Sequence, residues 1–139
     1  MIVCIDTNSL VQLFGKKSRF RAIAVALMGG QVELALSTAI LLEYEEVAAA
    51  MHGPVFTREV MNFLDLAMES GFVRHFTPHF HFRIITADSD DDIFADCAIA
   101  ADVEYIITED HHFKALGNAG YKPQTITPEE FIRQFLSPS

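Results

Sequence analysis

The stretch MIVCIDTN, residues 1–8, contains a short apolar run that ends in a carboxylate. Ile2 to Asp6 is typical of a short buried strand, and the helical periodicity of Asn8 to Leu13 follows it directly. Asp6 therefore stands where a strand ends and a helix begins. Asp is a favoured helix cap, so the residue has a structural interpretation as well as a functional one.

Strands and helices continue to alternate along the rest of the chain. Further strands are predicted at Glu33 to Ser37, Phe72 to Phe76, Tyr105 to Thr108 and Thr125 to Thr127. Further helices are predicted at Phe20 to Met28, Ser37 to about Ala50, Thr57 to Ser70, Asp90 to Asp102, and from Pro128 onward. Ser37 can cap the second of these, and His52-Gly53-Pro54 ends it. The alternation in Thr77 to Thr86 suits a strand or an extended connection, and Gly117 to Lys122 is predicted to be a loop.

This alternation predicts a fold of the α/β class: a three-layer α/β/α sandwich around a central, mostly parallel sheet of four to five strands. No linker or repeat interrupts it, so residues 1–139 are expected to form a single domain. Such sheets bind ligands beyond the carboxyl ends of their strands. Asp6 follows the first strand, and Asp110 lies just past Thr108 at the end of the fourth.

The composition is that of an ordinary globular domain. With 139 residues, 50% of them hydrophobic, and only 7 Gly, 5 Pro and 2 Cys, the chain lacks the signatures of disorder, collagen and disulfide scaffolds. No apolar run approaches the roughly 18–20 residues of a membrane span, and the first strand turns polar too early for a signal peptide. We therefore expect a cytoplasmic protein without a membrane partner. Cys4 and Cys97 lie in apolar runs and are expected to be reduced packing residues.

The charge distribution points to a cation site. The net charge is -9, which argues against a protein that holds nucleic acid mainly by covering phosphates with Lys and Arg. Nine acidic residues fall between Asp88 and Asp110, where they repel one another unless a cation lies among them. Four basic residues cluster instead after the first helix: Lys16, Lys17, Arg19 and Arg21.

Much of the acidic run has a structural explanation, because Ser89 and Asp92 match a capping box at a helix start. Asp96 has no such structural explanation, since helical spacing puts it among apolar residues. It also lies four residues after Asp92, where like charges cost roughly 0.2–0.5 kcal/mol, so a bound cation would explain the pair. On the second long helix, Glu43 and Glu45 border the apolar stripe on opposite sides, and periodicity does not choose between them.

Four motifs in this order resemble the PIN-domain nucleases. They are Ile-Asp-Thr-Asn near the start, Ser-Thr-Ala-Ile-Leu-Leu-Glu in the second long helix, Asp-Cys-Ala-Ile-Ala-Ala in the later one, and Tyr-Ile-Ile-Thr-Glu-Asp before a Phe. The ending Thr-Pro-Glu-Glu-Phe is also typical of the family, so the resemblance covers nearly the whole chain. Within the family, the sequence is most similar to the toxin-type, VapC-like ribonucleases of bacterial toxin–antitoxin pairs.

The resemblance implies a metal-dependent endoribonuclease with acidic residues around one or two Mg2+ or Mn2+ ions. By position, it implies that Asp6, Glu43, Asp96 and Asp110 are catalytic metal ligands, and it thereby favours Glu43 over Glu45. Related sequences also carry an acid where Asp92 stands, so the third ligand is Asp92 or Asp96. Asn8 and Thr108 become polar supports, and the basic cluster Lys16, Lys17, Arg19 and Arg21 either holds the RNA backbone or is a solvated loop. The implied partners are RNA, a cognate antitoxin protein and a second copy of the chain in a homodimer.

Glu109 departs from the family pattern, which often has a basic or neutral residue there, and residues 79–86 match no motif. His79 with His81, and His111 with His112, could be drawn as metal ligands, but no Cys or His spacing completes a zinc site. His111 or His112 could instead contact a phosphate.

Three other functions compete with the nuclease as interpretations of this sequence. A phosphoacceptor receiver domain would share the parallel sheet and a Lys-Pro pair, but Lys122-Pro123 precedes the last strand here, and one acid rather than two ends the first strand. A phosphatase with a nucleophilic Asp would need an acid where Asn8 stands. The main alternative is a PIN-like module that binds RNA or protein without cutting.

Overall fold

A five-stranded, fully parallel sheet forms the centre of the molecule. The computed structural model describes residues 1–15, 18–77, 89–110 and 123–136. The strands are β1 (Ile2–Ile5), β2 (Glu33–Leu36), β3 (Val73–His75), β4 (Tyr105–Ile107) and β5 (Gln124–Ile126). Their order across the sheet is β3-β2-β1-β4-β5. The predicted α/β fold with a parallel sheet is confirmed.

Helices connect and cover these strands. They are α1 (Thr7–Val11), α2 (Arg21–Met28), α3 (Thr38–Glu69), α4 (Ser89–Ala101) and α5 (Pro128–Phe131), which passes into a π-helical segment at Ile132–Leu136. Among the helices that the structure describes, none combines the length and the apolar composition that crossing a membrane requires.

The central strand shows why the architecture has three layers. Successive side chains of a strand point to opposite faces of the sheet. Val3, Cys4 and Ile5 are nevertheless all fully buried, so both faces of β1 are covered. Helix α4 supplies part of that cover, since it packs against β1, β2 and β4. Strands buried on both faces read as continuous apolar runs, which is the pattern that the sequence shows here.

The strand order reverses direction between β1 and β4. From β1 the chain proceeds to β2 and β3 on one side, and it returns to form β4 and β5 on the other. Parallel α/β sheets bind ligands at such a point, outside the carboxyl ends of the two strands. Because Ile5 pairs with Ile107, the next residues, Asp6 and Thr108, emerge side by side from the sheet.

Helix α3 contains the break that the sequence predicts at His52-Gly53-Pro54. Gly53 has φ +81° and ψ −177°, so two helical segments meet at a kink there. A side chain at that φ would be strained, whereas the space around Gly53 is open. Gly30, which follows α2, is constrained twice: its φ is +74°, and a Cβ atom would lie 2.7 Å from the Phe72 ring.

The last elements differ from the prediction by a residue or more. β5 ends at Ile126 because Thr127 has left the strand to cap α5, accepting a hydrogen bond from Glu130 N at 3.1 Å. The α-helix that begins at Pro128 is only one turn long before the π-helical segment takes over. The extended segment predicted around residues 77–86 and the loop at 117–122 lie outside the described residues, apart from Thr77.

Candidate active site

Asp6, Thr108 and Asp110 form a connected group at the reversal between β1 and β4. The Thr108 hydroxyl donates a hydrogen bond to Asp6 Oδ2 and accepts one from the backbone N–H of Asp110 at 2.9 Å. The ladder continues up to this point, since Asp6 N donates to Ile107 O at 3.0 Å. One buried hydroxyl thus holds together the residues that follow the two strands.

Asp6 also caps helix α1, as its position in the sequence suggested. Its Oδ1 accepts a hydrogen bond from Ser9 N at 2.9 Å, and the residue is only 7% exposed. Burial raises the pKa of the Asp6 carboxyl above its usual value, and the negative charge of Asp110 raises it further. The hydrogen bonds from Thr108 and Ser9 act in the opposite direction on that pKa. The structural and the functional interpretation of Asp6 are therefore compatible.

Glu43 reaches the same edge from helix α3. The Thr7 hydroxyl, which belongs to the residue after Asp6, donates to Glu43 Oε2 at 3.0 Å. Glu43 is half-buried, whereas Glu45 is exposed on the same helix. The structure thus brings Glu43 into contact with Thr7, the residue after Asp6, and leaves Glu45 in solvent. Helical periodicity did not make this distinction.

Tyr44 is a positioning residue that the sequence analysis missed. It is fully buried, and its hydroxyl donates to the backbone oxygen of Ile5, immediately before Asp6. Burial raises the pKa of the Tyr44 phenol well above its usual value, which keeps the hydroxyl protonated as a donor. A buried Tyr normally needs a partner for its O–H, and that rule was the available signal.

Asp96 lies on helix α4 and is only 3% exposed, in agreement with its apolar neighbours in the helical pattern. The Cys4 thiol donates to the backbone oxygen of Ala35 at 3.6 Å. The thiol of Cys97, the residue after Asp96, together with burial raises the pKa of the Cys4 thiol well above its usual value. Both cysteines are free and buried, as predicted. The side chain of Asp92 lies outside the described part of the chain.

Two cavities border Asp110. One of about 500 Å³ is lined by Asp6, Asn8 and Asp110 among others, so it contains the predicted polar support Asn8. The other, of about 840 Å³, extends from Thr108 and Asp110 along β5 to Glu130. Glu109 lines both cavities. The described lining of both cavities includes carboxylates but neither Lys nor Arg.

The described members of the basic cluster lie elsewhere. The Arg19 guanidinium sits 4.7 Å from the centre of the Phe20 ring, and Arg21 borders a groove together with Glu59. Neither arginine lines the two cavities beside Asp110. Lys16 and Lys17 lie outside the described residues, as do His79, His81, His111 and His112.

The donor atoms suit a hard divalent cation. Asp6, Glu43, Asp96 and Asp110 offer carboxylate oxygens, which Mg2+ and Mn2+ prefer to nitrogen or sulfur ligands. Burial is the main cause of the raised pKa of the Asp6 carboxyl, and the charge of Asp110 adds to it. A bound cation would favour the ionised form of both carboxylates. Within the described side chains, no three His, Cys, Asp or Glu already stand close enough together to hold an ion.

A sequence model of one protein family matches most of this chain. The sequence model described as "PIN domain" matches residues 2–112. The fold is similar to that of VapBC2 from Rickettsia felis, which was solved bound to a DNA fragment from its promoter. The TM-score is 0.60 at 16% sequence identity, and the match covers 91% of this chain and 98% of the VapBC2 chain. It is also similar to VapBC-1 from nontypeable Haemophilus influenzae, with a TM-score of 0.58 at 15% identity, covering 93% and 99%. No curated protein matches in sequence.

Proposed function

This chain belongs to the PIN-domain family, and on that premise we propose that it is a metal-dependent endoribonuclease, the toxin of a toxin–antitoxin pair. The main support is the hydrogen-bonded group of Asp6, Thr108 and Asp110, at the point between β1 and β4 where the strand order reverses. A helix cap alone does not need a charged side chain there, because a serine performs that task at the end of β2.

Each residue of the site has a role in the proposal. Asp6 and Asp110 hold the cation, with Asp96 and Glu43 completing its acidic surroundings and Asp92 as the alternative to Asp96. Thr108 fixes the orientation of Asp6 and the backbone of Asp110 through its two hydrogen bonds. Thr7 does the same for Glu43. Asn8 contributes a polar wall to the cavity beside the acids.

A bound Mg2+ or Mn2+ ion would lower the pKa of a coordinated water and stabilise negative charge on the phosphate. The side chains of this chain would fix the position of the scissile phosphodiester beside Asp6 and Asp110. Since the described lining of the cavities lacks Lys and Arg, the acidic surface by itself repels RNA. Occupation by the cation would therefore be a condition for substrate binding as well as for cleavage.

The remaining partners follow from the same premise. The similar folds belong to VapBC complexes, which supports a cognate antitoxin as a protein partner. We further propose a homodimer in the cytoplasm. Lys16, Lys17, Arg19 and Arg21 would contact the RNA backbone. Of the two that the structure describes, Arg21 begins α2 and Arg19 lies just before it, and neither lines the two cavities.

The proposal is tested by incubating total bacterial RNA with the purified chain and Mn2+, and with the variants Asp6→Asn and Asp65→Asn. Asp65 is exposed on α3, so its variant makes the same change of charge away from the site. Cleavage by the parent and by Asp65→Asn, but not by Asp6→Asn, is the expected result. Equal cleavage by both variants would contradict the proposal.

A PIN-like module that binds RNA or protein without cutting it is the second candidate. It is favoured by one observation: the described acids do not stand together in a group of three. The same experiment separates the two candidates. RNA binding without cleavage by the parent, unchanged by Mn2+ and by Asp6→Asn, would support the binding module.

A further inference from the structure

The cavity of about 500 Å³ beside Asp6 and Asp110 extends well past the carboxylates. A metal site accounts for only one part of its wall. A volume of that size is ordinary for a pocket that encloses a small organic group. The described part of the wall without carboxylates consists of Asn8, Ser9, Val11, Gln12, Phe14, Met51 and His52.

An aromatic cluster stands behind this part of the wall. The Phe14 ring meets Phe63 edge-on, with 5.0 Å between centroids, and meets Phe56 in the same manner at 6.4 Å. The His52 ring packs against Phe56 at 4.6 Å while also lining the cavity. Contacts to neighbouring rings thus hold Phe14 and His52 in place before anything binds.

The kink in α3 presents two further surfaces to solvent. Met51 is 56% exposed and His52 is also exposed, and both immediately precede Gly53 with its positive φ. Without the kink, the helix would continue in a regular path past this point. An exposed thioether and an exposed imidazole therefore line the same cavity as the acidic residues.

The electrostatics of the cavity select for an uncharged occupant in this part. The described lining contains the carboxylates of Asp6, Glu109 and Asp110 and no Lys or Arg. These carboxylates repel a phosphate wherever no bound cation offsets their charge. The side-chain amides of Asn8 and Gln12 offer both hydrogen-bond donors and acceptors. Ring surfaces with nearby amides are what proteins use to stack an unpaired RNA base and bind its edge.

We propose that this part of the cavity binds the unpaired base next to the cleaved phosphodiester, with Phe14, Met51 and His52 as its stacking surface. Gln12 then helps to determine which base is accepted. The proposal rests on the proposed ribonuclease function and adds to it the residues that contact the base.

The test is a titration of the protein, labelled with 13C at its methionine methyl groups, with each of the four ribonucleoside 5′-monophosphates in Mg2+. The chain has five methionines, and Met28 and Met68 serve as internal references. We expect the Met51 methyl resonance to move with at least one nucleotide while Met28 and Met68 stay unchanged. An immobile Met51 resonance with all four nucleotides would overturn the proposal.

Variants then identify the stacking surface. His52→Ala should weaken nucleotide binding about tenfold, in line with the contribution of one stacked base, and His52→Phe should restore it. Gln12→Ala should change the order of preference among the four nucleotides. Met28→Ala is the matched control, because Met28 is an exposed methionine that borders a different groove.

The outcome also distinguishes this inference from the proposed function. Loss of RNA cleavage in Asp6→Asn together with unchanged affinity in His52→Ala would remove the base site and keep the nuclease. Weaker nucleotide binding in His52→Ala with no cleavage by the parent would keep the base site and remove the nuclease.

Discussion

The ends of β1 and β2 lie next to each other in the sheet, and the residue after each strand caps a helix. After β2, Ser37 Oγ accepts a hydrogen bond from Ile40 N at 3.3 Å, and Ser37 is 5% exposed. After β1, Asp6 Oδ1 accepts one from Ser9 N at 2.9 Å, and Asp6 is 7% exposed. The two caps are nearly equal in geometry and burial, but only one carries a charge.

The comparison shows that the fold does not require the charge of Asp6. A neutral hydroxyl caps α3 at the same depth, so a carboxylate is not needed to begin a helix there. Burial disfavours that carboxylate's ionised form, as its raised pKa shows. The charge therefore requires an explanation outside folding, and a bound cation beside Asp110 supplies one.

The strongest test of the comparison replaces the charged cap by the neutral one. Asp6→Ser keeps an oxygen that can accept from Ser9 N, so helix α1 should still form. Ribonuclease activity should fall by more than about 100-fold, since even residues that only support a metal ligand typically change activity by 10–100-fold. Initial rates of RNA cleavage, with circular dichroism as the folding control, measure this. Activity within a few-fold of the parent would mean that the charge has no catalytic role.

The hydroxyl that joins the two strand ends comes next in expected effect. Thr108→Val deletes the donor to Asp6 and the acceptor for Asp110 N, which should cost about 1–3 kcal/mol of folding stability and about 10–100-fold in cleavage rate. Thr108→Ser retains the hydroxyl and should restore both quantities. Urea unfolding and initial rates provide the measurements, and a Ser variant as impaired as Val would show that the methyl group matters instead.

The neutral cap should matter for stability alone. Ser37→Ala removes the acceptor for Ile40 N and should lower the free energy of unfolding by about 1 kcal/mol. The rate of RNA cleavage under conditions where the variant remains folded should equal that of the parent. A cleavage defect like that of Asp6→Ser would show that the two caps do not differ in kind.

The smallest effect is a difference in how stability depends on pH. The folded state raises the pKa of Asp6, so without metal the parent should lose stability as the pH rises from about 4, the usual pKa of Asp, through the raised value. Asp6→Asn lacks this loss and should be the more stable protein at neutral pH, with the difference vanishing below pH 4. Thermal melts across this pH range in a chelator decide the point; a variant less stable at every pH would contradict it.

Much of this geometry follows from local sequence. The alternation of apolar runs and helical periods predicted the strands, and the polar residue after each run predicted Asp6 and Ser37 as caps. Gly53 and Pro54 likewise predicted the break in α3. These features depend on neighbours within a few positions, which is the range that patterns describe.

The contacts that build the site depend on pairs far apart in the chain. The Thr7–Glu43 bond joins residues 36 positions apart, and the Thr108–Asp6 bond spans 102. Helical periodicity left Glu43 and Glu45 equivalent. The family resemblance favoured Glu43, and in the structure the packing of α3 against α1 separates the two residues. The same holds for Tyr44, whose partner Ile5 lies on a distant strand.

The melting temperature with and without millimolar Mn2+ tests most directly whether the Asp6 carboxylate binds a cation. Mn2+ is the better probe because Mg2+ dehydrates reluctantly and often relies on substrate phosphates to complete its shell. We expect the melting temperature to rise with Mn2+ for the parent and not for Asp6→Asn, since a ligand that binds only the folded state stabilises it. The same rise in both proteins, or no rise in the parent, would contradict it.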